Sequence, residues 1–438
     1  MRKIVYNVAP YITPILLAMT MLGKISALVI FVIAIVLTCF MPKKEAGISF
    51  ALVMPVVFGF LFFNIGIGIP GSIIALVIAF ILLYKELAVI KNNPDAIKYI
   101  GAIILITIFS FVYGGVSSSG KEKLTDLLIT LAIGIWAFYP ITTSKNIDLA
   151  KIAVIYLISG IFLIAVALDF YGYTRTFNLF DFESFRASTI YNRNLELPHV
   201  VYHIPGMIGC YTTAFYLSGK KNGIKVKDLI FLGTALWLIL ISGTRQAILC
   251  YFIIVACWTM IKSNKLQTKN IILTFVFCIA GYIFLSSLEV ESIQKVFDTT
   301  NTTEERLNRG YDFALKLINE NTAWGVGFGN YYNPMTNQRY PHNLILEILC
   351  EMGVVGLIAM SLIVFIFVTR NKFSLFKKTT NDNFAFIIFI PYFIRAMVSD
   401  DLSHNIILFI VIFTLFNKKH KKINKYEQDI TYSNSRGL

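Results

Sequence analysis

Residues 324–356 read WGVGFGNYYNPMTNQRYPHNLILEILCEMGVVG, a polar, glycine-broken loop set directly against a long apolar run. Past His342 the pattern turns helical: Leu344, Ile348 and Glu351 recur at helical spacing, and Leu346, Ile358 and Met360 belong to an apolar run that lasts to Val368. That run exceeds the roughly 20 residues a bilayer-spanning helix needs. Pro341 fits the start of the helix, where a missing amide donor costs nothing. The lone His342 is thereby placed at a membrane surface, in what would otherwise be an ordinary loop-to-helix junction.

Working outward, the rest of the chain has the same character. Of its 438 residues 56% are hydrophobic and 15% charged, and the mean hydropathy is +0.69. Such a composition excludes a soluble domain. The expected fold is all-α, a polytopic membrane helix bundle of about 12–14 transmembrane helices with one large external loop. The apolar runs fall near 8–23, 25–41, 48–63, 72–90, 99–113, 124–140, 152–170, 197–218, 228–242, 246–262, 271–287, 342–368, 384–399 and 405–417.

The formal charge of +14 is scattered among short loops and forms no single stripe, so no nucleic-acid partner is expected. The lysines gather at the N-terminus, at Pro42 to Glu45, Lys91 to Lys98, Lys145 to Lys151, Lys220 to Lys227, Lys262 to Lys269 and Arg370 to Lys378, and in the tail from Lys418. By the positive-inside rule these segments are cytoplasmic, and both termini with them. No small-residue cleavage site follows the first apolar run, so a removable signal peptide is not expected. The chain divides into N-terminal transmembrane helices (1–170), a region from 171 to 417 that contains the external loop 288–341, and a basic tail (418–438) suited to anionic lipid.

The six cysteines, at 39, 210, 250, 257, 278 and 350, sit inside apolar runs and form no redox or metal doublet. Glu196, His199 and His203 would share a helix face as metal ligands do, but a histidine pair in a tyrosine-rich span is more often hydrogen-bonded structure; no metal site is expected. Asp400, Asp401 and His404 make a polar external turn, either structural or shaping an acceptor site.

Arginine is distributed differently from lysine. Arg175, Arg186 and Arg193 lie in the external loop 171–196, Arg245 in the turn SGTR, and Arg306, Arg309 and Arg339 in the loop 288–341. These are the places where the positive-inside rule leaves few positive charges. A bound anion is the economical compensation, and the planar guanidinium fork suits a diphosphate. The plainer alternative is pairing with Asp181, Glu183, Glu304 or Asp312. Thr302 and Glu305 form a capping-box pattern, followed by an apolar stripe of Leu307, Tyr311, Ala314, Leu315 and Ile318, with Arg306 and Arg309 about one turn apart on another face. Gly325, Gly327 and Gly329 permit a tight turn or, less specifically, a phosphate cradle.

The order SGTRQAIL, an Arg-bearing helix, WGVGFGN and then PHNLILEILCEMGVVGLI resembles the O-antigen ligase and polymerase superfamily of bacterial polysaccharide assembly, over residues 180 to 410 or so. The resemblance implies metal-independent, cofactor-free glycosyl transfer on the external face of the bacterial plasma membrane. The donor would be a glycan linked to undecaprenyl diphosphate and the acceptor a sugar hydroxyl. Carried onto this sequence, His342 matches the essential histidine and Arg245 the arginine of the turn, while Arg186, Arg306 and Arg309 match other family arginines. Expected partners are the lipid-linked glycan, its acceptor, the bilayer and a chain-length regulator. The GVGFGN stretch favours a polymerase of O-antigen or capsule over a ligase that attaches finished chains. A lipid-glycan flippase is the rival of another class, but transporters carry internal repeats and midplane charges, and here the charges sit at span ends.

Overall fold

The computed structural model describes residues 2–66, 71–88, 95–143, 147–170, 203–220, 224–242, 244–262, 310–334, 338–371, 380–398 and 401–416. Their regular structure is helical: α1 (Arg2–Met21), α2 (Ala27–Cys39), α3 (Lys43–Leu52), α4 (Met54–Asn64), α5 (Gly71–Ala88), α6 (Asp95–Tyr113), α7 (Ser118–Thr143), α8 (Leu149–Phe170), α9 (His203–Ser218), α10 (Val226–Ser242), α11 (Arg245–Lys262), α12 (Asp312–Glu320), α13 (Leu344–Arg370), α14 (Thr380–Val398) and α15 (Leu402–Leu415). Among the described residues β pairing is confined to one isolated bridge, Asn333 with Gln338. This is the all-α, polytopic membrane architecture the composition demands.

Four of these helices, at Asp95–Tyr113, Ser118–Ile141, Leu149–Asp169 and Leu344–Arg370, are long and apolar enough to cross a bilayer. They fall on four of the apolar runs read above. The run at 48–63 is not one straight span: α3 and α4 meet at 55°. Pro55 supplies the reason, because it has no amide to donate back to Ala51 and its ring crowds that turn. Hydroxyl groups inside the helices are bonded to the preceding turn, as Thr20 to Leu16 O, Thr38 to Ala34 O and Thr107 to Ile103 O. Hydrocarbon offers them no water, so the nearest carbonyl is the available partner.

The chain forms two compact units. The first comprises Met1–Leu83, Asn146–Asn301 and Phe386–Pro391. At its centre α8 is buried over almost its whole length and packs against α9, α2 and α1. Carboxylates fix its two ends. The Asp148 amide donates to Glu45 at 3.0 Å, and Asp169 accepts from the Ala27 amide at 2.5 Å. Glu45, expected in a cytoplasmic loop, is in fact buried in the first turn of α3.

The second unit comprises Tyr84–Lys145, Thr302–Ala385 and Tyr392–Leu438. In it α6 packs on α13 and α15, α7 packs on α15, and α12 lies on α13. Tyr99, Phe367 and Phe413 cluster where α6 begins and where α13 and α15 end, one pair stacked and two edge to face, with ring centroids 5.0–5.5 Å apart. The end of α6 and the starts of α7, α13 and α15 therefore share the other end, as alternating spans require. Leu105, Phe109 and Val112 on α6 and Ile358, Leu362 and Phe365 on α13 are exposed. Large apolar side chains facing outward at helical spacing suit a lipid solvent.

The helix expected in the large loop is described from residue 310, so its capping box and Leu307 lie outside the described residues. Its buried stripe differs from the expected one. Ala314 packs with Tyr331 and Cys350, flanked by Phe313, Leu317 and Ile318, whereas Leu315 is exposed. The stripe turns because α12 rests on α13 and on the loop that follows it, and these select the 314/317/318 face.

Candidate functional site

The site is built where the loop 321–343 enters α13. The helix does not begin at a proline: its N-cap is Asn343, whose Oδ1 accepts from the amides of Ile345 at 3.0 Å and Leu346 at 3.1 Å. Pro341 stands two residues before the cap. The other end of the same amide donates to Met397 O at 3.1 Å, tying the cap to the end of α14. Immediately before the cap, His342 takes a left-handed backbone conformation, φ +56°, the one positive φ among the described non-glycine residues. A β-carbon makes that conformation costly, so the packing around it must hold it there. The Tyr340 ring meets the imidazole edge to face, with centroids 4.5 Å apart.

The glycine-rich loop is not a free cradle. It is wedged into a break in α13. Gly353, with φ +65° and ψ −170°, interrupts the helix, and a Cβ there would lie 2.2 Å from Ala323 O. The backbone groups released by the break are paired with the loop. Val326 donates to Cys350 O at 2.8 Å and Gly327 to Glu351 O at 2.9 Å, while Val354 and Val355 donate to Thr322 O and Ala323 O at 2.9 and 3.1 Å. Asn330 locks the loop to the turn between α6 and α7: it donates to Gly114 O at 2.8 Å and accepts from Ser117 Oγ at 2.6 Å.

Beneath the loop lies a buried charge cluster. Glu347 and Glu351, four residues apart on one face of α13, are wholly buried, and Lys123 of α7 is 6% exposed. Lys123 Nζ donates to both oxygens of Glu351, at 2.7 and 2.8 Å, and to Glu347 Oε1. It also lies 4.9 Å from the centre of the Phe328 ring. Glu347 Oε1 accepts in addition from the Leu402 amide at 2.8 Å, at the start of α15. Its Oε2 is buried and makes no hydrogen bond among the described residues.

Asp401 caps α15. Its Oδ1 accepts from the Ser403 hydroxyl at 2.5 Å, from the His404 amide at 3.2 Å, and pairs with His404 Nδ1 at 2.8 Å. Burial alone would favour the neutral acid, but the hydrogen bonds of His404 and Ser403 and the charge of Lys123 hold the Asp401 carboxyl well below the usual carboxylate range. A carboxylate on Nδ1 of an imidazole favours the tautomer with its proton on that nitrogen, which makes Nε2 the basic atom.

Arg339, one of the arginines expected on the external face, pairs with Glu122 at 2.9 Å in an exposed contact. It is an ordinary ion pair, though with a partner outside the four carboxylates expected, and such a pair contributes little. Arg245 begins α11 in the first unit, directly after the hydrogen-bonded Ser242 and Thr244 hydroxyls, 2.8 Å apart. Arg186, Arg306 and Arg309 lie outside the described residues, as do His199 and Asp400. Among the described residues no group of three or more His, Cys, Asp and Glu side chains is arranged to hold a metal. An apolar groove of about 270 Å³ opens along α6 and α13, lined by Leu105, Phe109, Tyr113, Trp324, Met352 and Val355.

Sequence reasoning missed Lys123 and gave Glu347 and Glu351 no role. The signal was present: two glutamates at i and i+4 inside an otherwise apolar span need a buried cation, and an ionisable group in such a span marks a candidate site.

Residues 230–361 match the family model described as O-Antigen ligase. The matched segment contains Arg245, Arg306, Arg309, His342, both glutamates and the Gly353 break. No curated protein and no solved structure matches the chain.

Proposed function

We propose, from the match of residues 230–361 to the O-Antigen ligase family model, that this multi-pass membrane protein is a polysaccharide polymerase. It moves a glycan from undecaprenyl diphosphate to a sugar hydroxyl at the external face of the bacterial plasma membrane, both termini being cytoplasmic. The observation that carries the reading is His342, held on strained backbone between the Tyr340 ring and the cap of α13. Strain of that kind persists where surrounding structure enforces it, and it gathers at reacting sites.

In the reaction the acceptor oxygen forms a bond to the anomeric carbon while the bond from that carbon to the diphosphate oxygen breaks. The bonding pair leaves with the lipid diphosphate. His342 takes the hydroxyl proton as general base, which an imidazole can do near neutral pH. Arg245, Arg186, Arg306 and Arg309 stabilise the departing diphosphate by forked hydrogen bonds, with no metal required. The apolar groove along α6 and α13 accommodates part of the isoprenoid chain.

A second reading, transfer of finished chains to another acceptor by a ligase, is favoured by the description of the matching family. Deleting the gene separates the two. Acceptors capped by single repeat units indicate a polymerase, and full-length chains left on the lipid carrier indicate a ligase. Unchanged surface glycan excludes both. His342→Asn, in a residue type that tolerates the left-handed conformation, is expected to insert normally and transfer nothing. Transfer should persist with excess chelator; a requirement for added magnesium or manganese would overturn the metal-free mechanism.

A further inference from the structure

The reaction as derived makes no use of Lys123, Glu347 and Glu351, although they are buried together at the site. Stability does not account for them. Desolvating three charges is expensive, and well-packed apolar side chains of similar volume hold helices together as well or better. What ions supply is defined geometry.

The ammonium engages both oxygens of Glu351, one of Glu347, and the face of Phe328. Glu351 continues to the Gly329 amide in the loop, and Glu347 to the Leu402 amide at the start of α15. One side chain of α7 thus reaches the loop, α13 and α15. Glu347 lies one helical turn beyond the Asn343 cap and His342, and its amide donates to Asn343 O at 2.9 Å. Leu402 directly follows Asp401, which orders His404.

We propose that Lys123 is a positioning residue for glycosyl transfer: acting through Glu347 and Glu351, it fixes the His342 turn relative to the Asp401–His404 turn. The hydrogen bonds of Lys123 go to the two glutamates, and its charge also acts on Asp401. The proposal rests on the reading of His342 as the reacting base, and it has one consequence independent of activity, the protection of the Leu402 amide.

The test uses full-length protein in liposomes and the lipid-linked repeat unit that accumulates in a deletion strain. Lys123→Met alone strands two buried carboxylates and can prevent folding, so the informative variant is the neutral triple Lys123→Met/Glu347→Gln/Glu351→Gln, beside Lys123→Arg. The triple variant is expected to keep wild-type thermal stability. Its kcat should fall about 100-fold, as a displacement near 1 Å can cause, with KM for the lipid-linked unit changed less than about threefold. Hydrogen exchange at Leu402 should accelerate about tenfold or more. Lys123→Arg should recover part of kcat. Wild-type kcat in the triple variant overturns the proposal, as does a kcat that falls only in step with thermal stability. Should the wild-type protein transfer nothing, the reading of the function falls. Leu402 exchange then decides the tie by itself, and unchanged protection in the triple variant ends the proposal too.

Discussion

Gly327 and Gly114 meet backbone to backbone, so closely that a Cβ on Gly327 would lie 2.3 Å from the Gly114 Cα. Gly327 also has φ +95°. Gly327→Ala therefore incurs left-handed strain, roughly 1–2 kcal/mol, together with an overpacking cost of about 1–3 kcal/mol. Gly115, with φ +81° but open space around it, incurs only the first. Thermal unfolding in detergent should show Gly327→Ala clearly less stable than Gly115→Ala; equal midpoints would mean that the close approach is not real.

The two glutamates should respond unequally to amide replacement. In Glu347→Gln, with Lys123 still present to orient the amide, the carbonyl oxygen can keep the bonds from Lys123 and Leu402, because only Oε1 makes them. Glu351 receives Lys123 on both oxygens, so Glu351→Gln turns an NH₂ group toward an ammonium. Breaking such a pair typically costs about 3–5 kcal/mol. Membrane yield and unfolding midpoint should fall much further for Glu351→Gln, and the reverse order would contradict the bonding pattern.

Much of the fold was legible because membrane helices announce themselves by length. The runs at 99–113, 124–140, 152–170 and 342–368 need only composition. What was not legible depends on partners distant in sequence. The start of α13 is set by Asn343, which bonds its own helix and Met397. The face α12 buries is chosen by Tyr331 and Cys350. His342 was readable as a lone polar residue at a span boundary, whereas Lys123 closes the run Lys121-Glu122-Lys123, in which nothing sets it apart. Its partners are 224 and 228 residues away.

Acid should weaken the protein through Asp401. Its carboxyl is depressed in the folded state, so its contribution is complete above the unfolded value of about 3.9 and is lost as the pH falls toward the lower folded one. The gap in unfolding midpoint between wild type and Asp401→Asn should be wider at about pH 5 than below about pH 4, where it narrows. A gap that widens on acidification would reverse the sign of the argument.

Orientation is open to labelling. Asn333 is buried and unsuitable as a reporter, whereas Tyr332 and Lys98 are exposed. An impermeant thiol reagent applied outside intact cells should modify Tyr332→Cys and leave Lys98→Cys unmodified. Modification of Lys98→Cys instead would invert the bundle.

The break at Gly353 bears on how the protein is made. Inserted alone, the segment 344–370 has every reason to close into one continuous helix, because unpaired carbonyls and amides are intolerable in hydrocarbon. The interrupted form exists only once Thr322, Ala323, Val326 and Gly327 have taken up the groups released around the break. Synthesis delivers the loop just before its helix, but α6 and α7, to which Asn330 fastens it, more than 200 residues earlier. The site is thus a late product of assembly, completed when the loop is captured by helices made long before it.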